Sequence, residues 1–200
     1  IRWFRWRSRG LFKCRYWGIN ISQNLKILGI DPGLRITGFG VIQFSGNDMS
    51  YVTSGVIKTS SQDTDFFDRL KAIIDGLHET IKNFKPDCVS IEKVFVNVNP
   101  QSTLLLGQAR GAALSISVMN KLPIHEYTAL QIKKSVVGNG HADKLQVQSM
   151  VQNILNLPSP ASEDSSDALA AAICHAHSFK FMSKITNINR IKGGRLIWLV

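Results

Sequence analysis

The stretch ILGIDPGLRITGFGVIQF, residues 27–44, places an acid between two apolar runs. Its opening ILGI is a short apolar run of the kind found in buried strands, and that run ends at an acid, Asp31. Residues 36–44 are rich in β-branched and aromatic side chains, which favours a second strand. A carboxylate at the end of a buried strand costs free energy unless it is paired. Asp31 therefore either closes the turn that Pro32 and Gly33 favour or holds a ligand.

The chain that follows predicts a mixed α/β domain. Residues 49–59 predict a third strand, which would complete an antiparallel meander. Strands and helices then alternate, and the apolar residues of 65–84 recur at the helical spacings of three and four. Later strands are predicted at 88–92 and 122–127, and later helices at about 101–119, 128–137, 144–155 and 163–177. This order predicts a five-stranded mixed sheet flanked by helices, which is the outline of the ribonuclease-H-like fold.

Basic residues are concentrated at the two ends of the chain. The net charge is +10, yet residues 27–177 hold 12 Lys and Arg against 14 Asp and Glu. All four tryptophans also lie outside that range. We therefore predict a basic, Trp- and Arg-rich extension outside the fold over residues 1–25, one domain over 26–177, and a basic C-terminal tail over 178–200.

The composition argues against several classes of protein. The longest apolar run, residues 168–174, is far shorter than the roughly 20 residues of a membrane span, so no membrane association is expected. Three scattered cysteines do not make a disulfide framework, and a reducing intracellular compartment is the default. In a bacterium that compartment is the cytoplasm. A genuine Arg-rich transit segment over residues 1–26 would instead direct the protein to an organelle.

Four acids occupy positions that suit a shared site. Asp31 and Glu92 each end a predicted buried strand, and ligands collect at the carboxyl ends of such strands. Asp164 and Asp167 open a helix of small residues and project to one side of it, with Ser162 as the expected N-cap. Each acid alone also has a structural explanation, which is a turn, a polar strand end, or an interaction with the helix dipole.

Taken together, the four carboxylates indicate a metal site. Clustered acids repel one another strongly in the absence of a cation. Carboxylate oxygens are hard ligands that suit Mg²⁺ or Mn²⁺. Two such ions about 3.5–4 Å apart can activate a water and stabilise the leaving oxygen in phosphodiester hydrolysis.

Five motifs occur in order between residues 26 and 177, and they are ILGIDPGLRITGFGVI, IEKVF, LGQARGAAL, VVGNGHADKLQVQSMV and DSSDALAAAICHAH. Together they closely resemble the RuvC family of bacterial Holliday-junction resolvases. The resemblance implies an endodeoxyribonuclease that resolves four-way DNA junctions by Mg²⁺-dependent paired nicking in recombination and repair. It places the family's catalytic, metal-binding acids on Asp31, Glu92, Asp164 and Asp167, with two Mg²⁺ per site. It also implies a homodimer that works with the branch-migration proteins RuvA and RuvB.

The resemblance also indicates residues that contact DNA. Phe95 matches an aromatic residue that acts at opened bases, and an exposed Phe can stack on an unpaired base, although it is otherwise a core residue beside a strand end. Lys133 and Lys144 match basic family positions, although by sequence alone they are ordinary surface lysines. Arg110 either contacts DNA or caps a helix. Residues 93–144 hold six Lys and Arg against two acids, and this excess can follow phosphates.

The predicted helix over residues 101–119 is apolar on more than one face, and Gly107 and Gly111 permit close approach of another backbone. The helix is therefore either fully buried or the interface of a homodimer, which the resemblance favours. A twofold dimer would place two active sites in matching positions on a junction with two like strands.

Other functions fit parts of the sequence. GIDPG followed by a second strand is also found in actin-like ATPases and sugar kinases, but those need a second, duplicated domain that the single core does not supply. A non-catalytic junction-binding protein would bind without nicking, and a ribonuclease H would act on an RNA–DNA hybrid. Zinc binding by Cys174, His175 and His177 is disfavoured, because these side chains point in different directions on one helix. His141 lies in a glycine-containing loop, GNGHAD.

Overall fold

The computed structural model describes residues 24–46, 48–59, 65–94 and 99–191, with side chains as far as residue 181. Within these ranges the chain forms five strands and five helices. The strands are β1 (Leu25–Asp31), β2 (Ile36–Ser45), β3 (Asp48–Lys58), β4 (Cys88–Glu92) and β5 (Ile124–Tyr127). The helices are α1 (Phe66–Phe84), α2 (Pro100–Met119), α3 (Ala129–Val137), α4 (Lys144–Leu155) and α5 (Glu163–Ile191).

The five strands form one mixed sheet in the order β3-β2-β1-β4-β5. β1, β2 and β3 are antiparallel neighbours, as the predicted meander requires. β4 runs parallel to β1, and β5 runs parallel to β4. This confirms the predicted α/β class and brings the carboxyl ends of β1, β4 and β5 to the same end of the sheet.

Helices cover both faces of the sheet, and each face has its own core. α1 and α2 cover one face, and α3, α4 and α5 cover the other. The alternation of side chains along β1 divides its residues between the two, since Ile27 lies in the core under α5 while Leu28 and Ile30 lie in the core under α1 and α2.

Helix α5 is longer than predicted. The charge shift suggested an end near residue 177, whereas the helix continues to Ile191. A gain of positive charge does not break a helix, and residues 178–191 contain neither Pro nor Gly. The predicted N-terminal extension over residues 1–25 lies almost entirely outside the described residues, and so do residues 192–200 of the tail.

The interpretation of α2 as a fully buried helix is wrong. Ala109 and Ala113 are buried against the sheet, but Leu104, Val118 and Met119 are 63%, 63% and 76% exposed. Large apolar side chains of α2 therefore remain uncovered in the single chain. Despite this apolar surface, neither α2 nor any other helix in the described part of the chain is long and apolar enough to cross a membrane.

Candidate active site at the ends of β1 and β4

The register between β1 and β4 brings Asp31 and Glu92 side by side. Ile30 pairs with Ile91, so the next residue of each strand is an acid. Ile30 and Ile91 are buried in the core beneath α1 and α2. Because side chains alternate along a strand, Asp31 and Glu92 face the opposite side, where α5 lies. The adjacency of these two strands, on which the hypothesis of a shared site depends, is confirmed.

Two glycines allow α5 to lie directly on the sheet. Gly38 is the cross-strand partner of Asp31, and a Cβ atom on it would lie 2.1 Å from the carbonyl oxygen of Asp164. A Cβ on Gly29 would lie 1.9 Å from the carbonyl oxygen of Ala168. Any side chain at either position would push the helix backbone away from the sheet. The glycines therefore set the distance between the acids of α5 and those of the strands.

The role of these glycines was not predicted from the sequence, although the sequence holds a signal for it. Glycine inside a strand weakens it and often marks close approach of another backbone. Gly29 and Gly40 are cross-strand partners in the interiors of β1 and β2, and Gly38 is two residues from Gly40. A Cβ on Gly40 would meet the side chain of Leu169 at 2.6 Å. The three glycines together form the surface on which the start of α5 packs.

Three hydrogen bonds hold the N-terminal part of α5 in place. The buried hydroxyl of Ser90, in the middle of β4, donates a 2.6 Å hydrogen bond to the carbonyl oxygen of Ala171. Ser162 immediately precedes the helix, as predicted for an N-cap, and its carbonyl accepts from the N–H of Ser166 at 2.8 Å. The hydroxyl of Ser162 donates to Oγ of Ser165 at 2.8 Å. The preceding loop thus holds the first turn of α5, and the sheet holds the helix one turn beyond Asp167.

The four acids act on one another electrostatically. Burial, followed by the charges of Asp167, Glu92 and Asp164, raises the pKa of Asp31 from 3.8 to about 7. Burial, and then the charge of Asp167, raises the pKa of Glu92. Burial also raises the pKa of Asp167. These carboxylates therefore share one site, in which full ionisation at neutral pH is unfavourable unless positive charge is added.

The chemistry of these residues fits a hard divalent cation. All the candidate ligands are carboxylate oxygens, which suit Mg²⁺ and Mn²⁺. Among the residues that the structure describes, no three His, Cys, Asp or Glu side chains form a ready set of metal ligands. Mg²⁺ seldom uses such a cage, because it keeps several waters and binds through one or two carboxylates together with substrate phosphates. An open cluster of acids at strand ends is consistent with that mode of binding.

Two lysines border the acids. Lys144, the first residue of α4, forms an ion pair with Glu163 at the start of α5. The charge of Lys144 acts to lower the pKa of both Asp31 and Asp167. Lys133, on α3, also acts to lower the pKa of Asp167. Both predicted DNA-contacting lysines therefore lie close enough to the acids to influence their ionisation.

Arg110 reaches the end of β4 from α2. Its Nε donates to the carbonyl oxygen of Glu92 at 3.2 Å, and its Nη2 forms an ion pair with Glu126 on β5. The carbonyl group that Arg110 binds lies at the end of a strand. The alternative that Arg110 caps a helix is therefore wrong. Whether Arg110 also contacts DNA is not tested by these bonds and stays a prediction.

Of the two loop residues Phe95 and His141, the structure describes only His141. Phe95 lies outside the described residues, so its assignment to opened DNA bases stays a prediction. His141 is exposed in the loop between α3 and α4, and its backbone N–H donates to Oδ1 of Asn139 at 3.0 Å.

Two histidines join β5 to α5, of which His175 is buried and His125 is half-buried, and no pattern in the sequence indicated this contact. The rings of His125 and His175 stack with their centroids 3.9 Å apart, and Nδ1 of His175 is 2.8 Å from the hydroxyl of Tyr127. Burial, and then the charge of His125, lowers the pKa of His175 to about 3. His177 points elsewhere, to Oγ of Ser135 at 3.1 Å. The divergence of these two histidines agrees with the sequence argument against a zinc site.

Comparison with known proteins gives a consistent family. The model of the family described as "Crossover junction endodeoxyribonuclease RuvC" matches residues 27–175, a range that contains all four acids. A protein of that name from Methylobacillus flagellatus is 60% identical over 177 residues, which cover 86% of this chain and 98% of the relative. Another from Herminiimonas arsenicoxydans is 55% identical over 181 residues and is covered to 99% of its length.

A solved structure agrees with the sequence comparison. The chain is similar, with a TM-score of 0.74 and 31% identity, to the structure described as "T. thermophilus RuvC in complex with Holliday junction substrate". The similarity covers 80% of this chain and 97% of that one, and it confirms the ribonuclease-H-like architecture. Because the family model matches most of the chain and two family members are 60% and 55% identical to it, the chain belongs to the RuvC family of crossover junction endodeoxyribonucleases.

Proposed function

We propose that this protein is a metal-dependent endodeoxyribonuclease that resolves four-way (Holliday) DNA junctions by paired nicking in recombination and repair. Membership of the RuvC family supports the nuclease activity, and the complex of a relative with a Holliday junction supports the substrate. The observation that carries the proposal for this chain is the parallel pairing of β1 with β4 beneath α5. That pairing brings the acids of distant segments into one electrostatic site.

We assign Asp31, Glu92, Asp164 and Asp167 as the catalytic ligands of two Mg²⁺ per active site, with Mn²⁺ able to substitute. When bound, such ions supply activation of a water and stabilisation of the leaving oxygen. The chain's own contribution is to hold the carboxylates on rigid elements, two on strand ends and two on the first turns of α5. No side chain is assigned as a general base.

The lysines beside the site have two roles in this proposal. Metal binding needs ionised carboxylates, and the charges of Lys133 and Lys144 favour that form. Both side chains are also proposed to bind DNA phosphates next to the scissile bond. Lys144 has one ammonium group, and Glu163 and a DNA phosphate would compete for it. Binding the phosphate would therefore break the ion pair between Lys144 and Glu163. Phe95 is proposed to stack on an opened base.

A homodimer through α2 is the proposed assembly. The exposed side of α2 carries Leu104, Val118 and Met119, and a Cβ on Gly107 or Gly111 would meet nothing within 4 Å. A second copy packed here would cover apolar surface and relate two active sites by a twofold axis.

The remaining parts of the proposal have family membership as their support. We propose RuvA and RuvB as partners and the bacterial cytoplasm as the compartment. The family model matches residues 27–175, which supports the predicted nuclease domain over 26–177. Leu25 in β1 and the continuation of α5 to Ile191 carry the fold beyond both predicted limits, into the segments 1–25 and 178–200 that were predicted as basic extensions.

A synthetic four-way junction incubated with protein and Mg²⁺ tests the proposal. We expect the wild type to release paired nicked products with 5′ phosphates that DNA ligase can seal, and to leave a linear duplex of the same sequence intact. Asp31→Asn and Asp167→Asn should bind the junction in EDTA like the wild type but cut it slower by a factor on the order of 10³, because each removes charge from the metal site with little change in shape.

Each alternative has its own outcome in this experiment. Cutting by either Asn variant at the wild-type rate would contradict the assignment of the acids. Tight, salt-sensitive junction binding without nicks in Mg²⁺ or Mn²⁺ would identify a non-catalytic junction-binding protein. Faster cutting of an RNA–DNA hybrid than of the junction would identify a ribonuclease H.

A further inference from the structure

Arg110 ties together the ends of two parallel strands. Glu92 is the last residue of β4, and its carbonyl oxygen accepts a 3.2 Å hydrogen bond from Nε of Arg110. The same guanidinium forms an ion pair through Nη2 with Glu126 on the neighbouring strand β5. Arg110 itself lies in the middle of α2, a long helix that packs against the sheet. A rigid helix is thus connected to the strand end that carries one of the proposed metal ligands.

The contact is made from the side of the sheet opposite the acids. Ile91 and Ile124 belong to the core beneath α1 and α2. Because side chains alternate along a strand, Glu126 faces the same side as Ile124, whereas the carboxylate of Glu92 faces α5. Arg110 therefore fixes the backbone of Glu92 without occupying its carboxylate.

The end of β4 is held in place mainly from the β5 side. The parallel register with β1 extends as far as the pair Ile30–Ile91, one residue before Glu92. On the other side, the N–H of Lys93 donates to the carbonyl of Tyr127 at 2.7 Å. The Arg110 side chain is 20% exposed, so its charged hydrogen bonds are partly shielded from water.

We propose that Arg110 is a positioning residue that fixes the direction of the Glu92 carboxylate relative to Asp31, so that the metal site is formed before the metal binds. The inference rests on the proposed function, because it takes Glu92 as a metal ligand. A planar guanidinium suits this role, since its fork holds two acceptors in a fixed geometry that a lysine cannot reproduce. Partners that orient a metal ligand contribute about 10- to 100-fold to metal affinity.

The test measures metal binding separately from cutting. Binding of Mn²⁺ to the intact, DNA-free protein is measured by calorimetry, and the Mg²⁺ concentration for half-maximal nicking is measured on the junction. We expect Arg110→Met to weaken Mn²⁺ binding and to raise the Mg²⁺ requirement by about 10-fold, with nicking recovered at high Mg²⁺. Arg110→Lys and Glu126→Gln should give smaller shifts of about 3-fold, because each keeps part of the contact. Lys82→Met, at an exposed position on α1, makes a similar exchange away from the site and should behave like the wild type.

Junction affinity in EDTA separates positioning from DNA contact. Positioning predicts that Arg110→Met changes this affinity by less than about 2-fold, because no metal takes part. Weaker junction binding in EDTA with an unchanged metal requirement would assign Arg110 to DNA contact and overturn the proposal. If circular dichroism shows that Arg110→Met does not fold, wild-type metal dependence in the folded Arg110→Lys and Glu126→Gln variants would overturn it equally. Failure of the proposed function is distinct, since the wild type and Lys82→Met would then neither bind Mn²⁺ nor nick.

Discussion

Gly38 lies directly beneath Asp164, and a Cβ on Gly38 would approach the carbonyl oxygen of Asp164 to 2.1 Å. The same glycine is the cross-strand partner of Asp31. The absence of a side chain at Gly38 thus lets the backbone of α5 lie against β2, beside the end of β1 that carries Asp31. The spacing between the two groups of acids follows from this contact, and several expectations depend on it.

Substituting Gly38 should impair catalysis more than substituting its neighbour. In Gly38→Ala the methyl group meets helix backbone, which cannot move without shifting α5, so we expect most of the nicking rate to be lost. Gly40→Ala is the matched control on the same strand, because its methyl group meets the side chain of Leu169 first, at 2.6 Å, and the helix backbone only at 3.1 Å, at the nitrogen of Leu169. Both variants should lose about 1–3 kcal/mol of unfolding free energy in urea titrations. Equal nicking by the two variants would show that the seating of α5 over Gly38 does not control the site.

Metal-free Asp31→Asn should become more stable than the wild type as pH rises. Burial, and then the charge of Asp167, raises the folded-state pKa of Asp31 from 3.8 to about 7. The folded state therefore holds this proton more tightly than the unfolded state, and the associated stability, complete below about pH 4, is lost as pH rises through about 7. The difference in unfolding free energy between variant and wild type should grow by up to about 4 kcal/mol over that range.

Urea unfolding of both proteins in EDTA, at several pH values, measures this difference. Comparing the two proteins cancels the titration of the groups that do not interact with Asp31, such as His175, whereas Glu92, Asp164 and Asp167 contribute to the difference through their coupling to Asp31. Adding Mg²⁺ should stabilise the wild type at high pH and leave Asp31→Asn nearly unchanged. A difference that does not vary with pH would show that Asp31 ionises as it does in the unfolded chain.

The ion pair between Lys144 and Glu163 should compete with DNA. Removing the lysine charge in Lys144→Gln should weaken junction binding in EDTA and reduce the salt dependence of log K by about one unit, as expected for one lost phosphate contact. Glu163→Gln should have the opposite effect on affinity, because it releases Lys144 from its partner. Filter binding or fluorescence anisotropy across a salt series measures both slopes. Identical salt slopes in Lys144→Gln and wild type would place this lysine away from the phosphates.

Acid should destabilise the fold through His175. Burial, and then the charge of His125, lowers its folded-state pKa from 6.5 to about 3, so the unfolded chain binds this proton more readily. The contribution of neutral His175 to the free energy of unfolding is complete above about pH 6.5. Acidification to about pH 5 should lower the free energy of unfolding by on the order of 2 kcal/mol. His175→Phe should have a flatter pH dependence, and His78→Phe, at an exposed position on α1, should keep the wild-type one. Thermal melts at matched ionic strength decide between these outcomes.

A charge on the exposed side of α2 should disrupt the proposed dimer. Leu104→Glu places a carboxylate where a second copy would bury an apolar side chain, and we expect dimerisation to weaken at least about 10-fold. Phe67→Glu is the control, because Phe67 is 71% exposed on α1, outside the proposed interface. Sedimentation velocity over a concentration series measures the equilibrium. A wild type that is monomeric at all concentrations would remove α2 as the dimer interface.

Much of the site was already readable in the sequence. Strand and helix periods located nearly every element, because each buries one face and the chain records that face as a pattern of apolar residues. The acids at the ends of β1 and β4 and at the start of α5 were identifiable as candidate ligands, because a carboxylate among apolar residues costs free energy unless it is paired. The predicted end of α5 near residue 177 is wrong, because a change in charge does not end a helix and residues 178–191 contain no Pro or Gly that would.

The order of amino acids was enough to predict the type of each element, the acids at the element ends, and the resemblance to a nuclease family. Tertiary structure decided what those residues do to one another. Three contacts join segments that are far apart in the chain. They are the pairing that places Asp31 beside Glu92, the contact of α5 with Gly38, and the hydrogen bond from Arg110 to the end of β4. Local patterns record which face of an element is buried, but they carry no record of which distant backbone comes to lie against it.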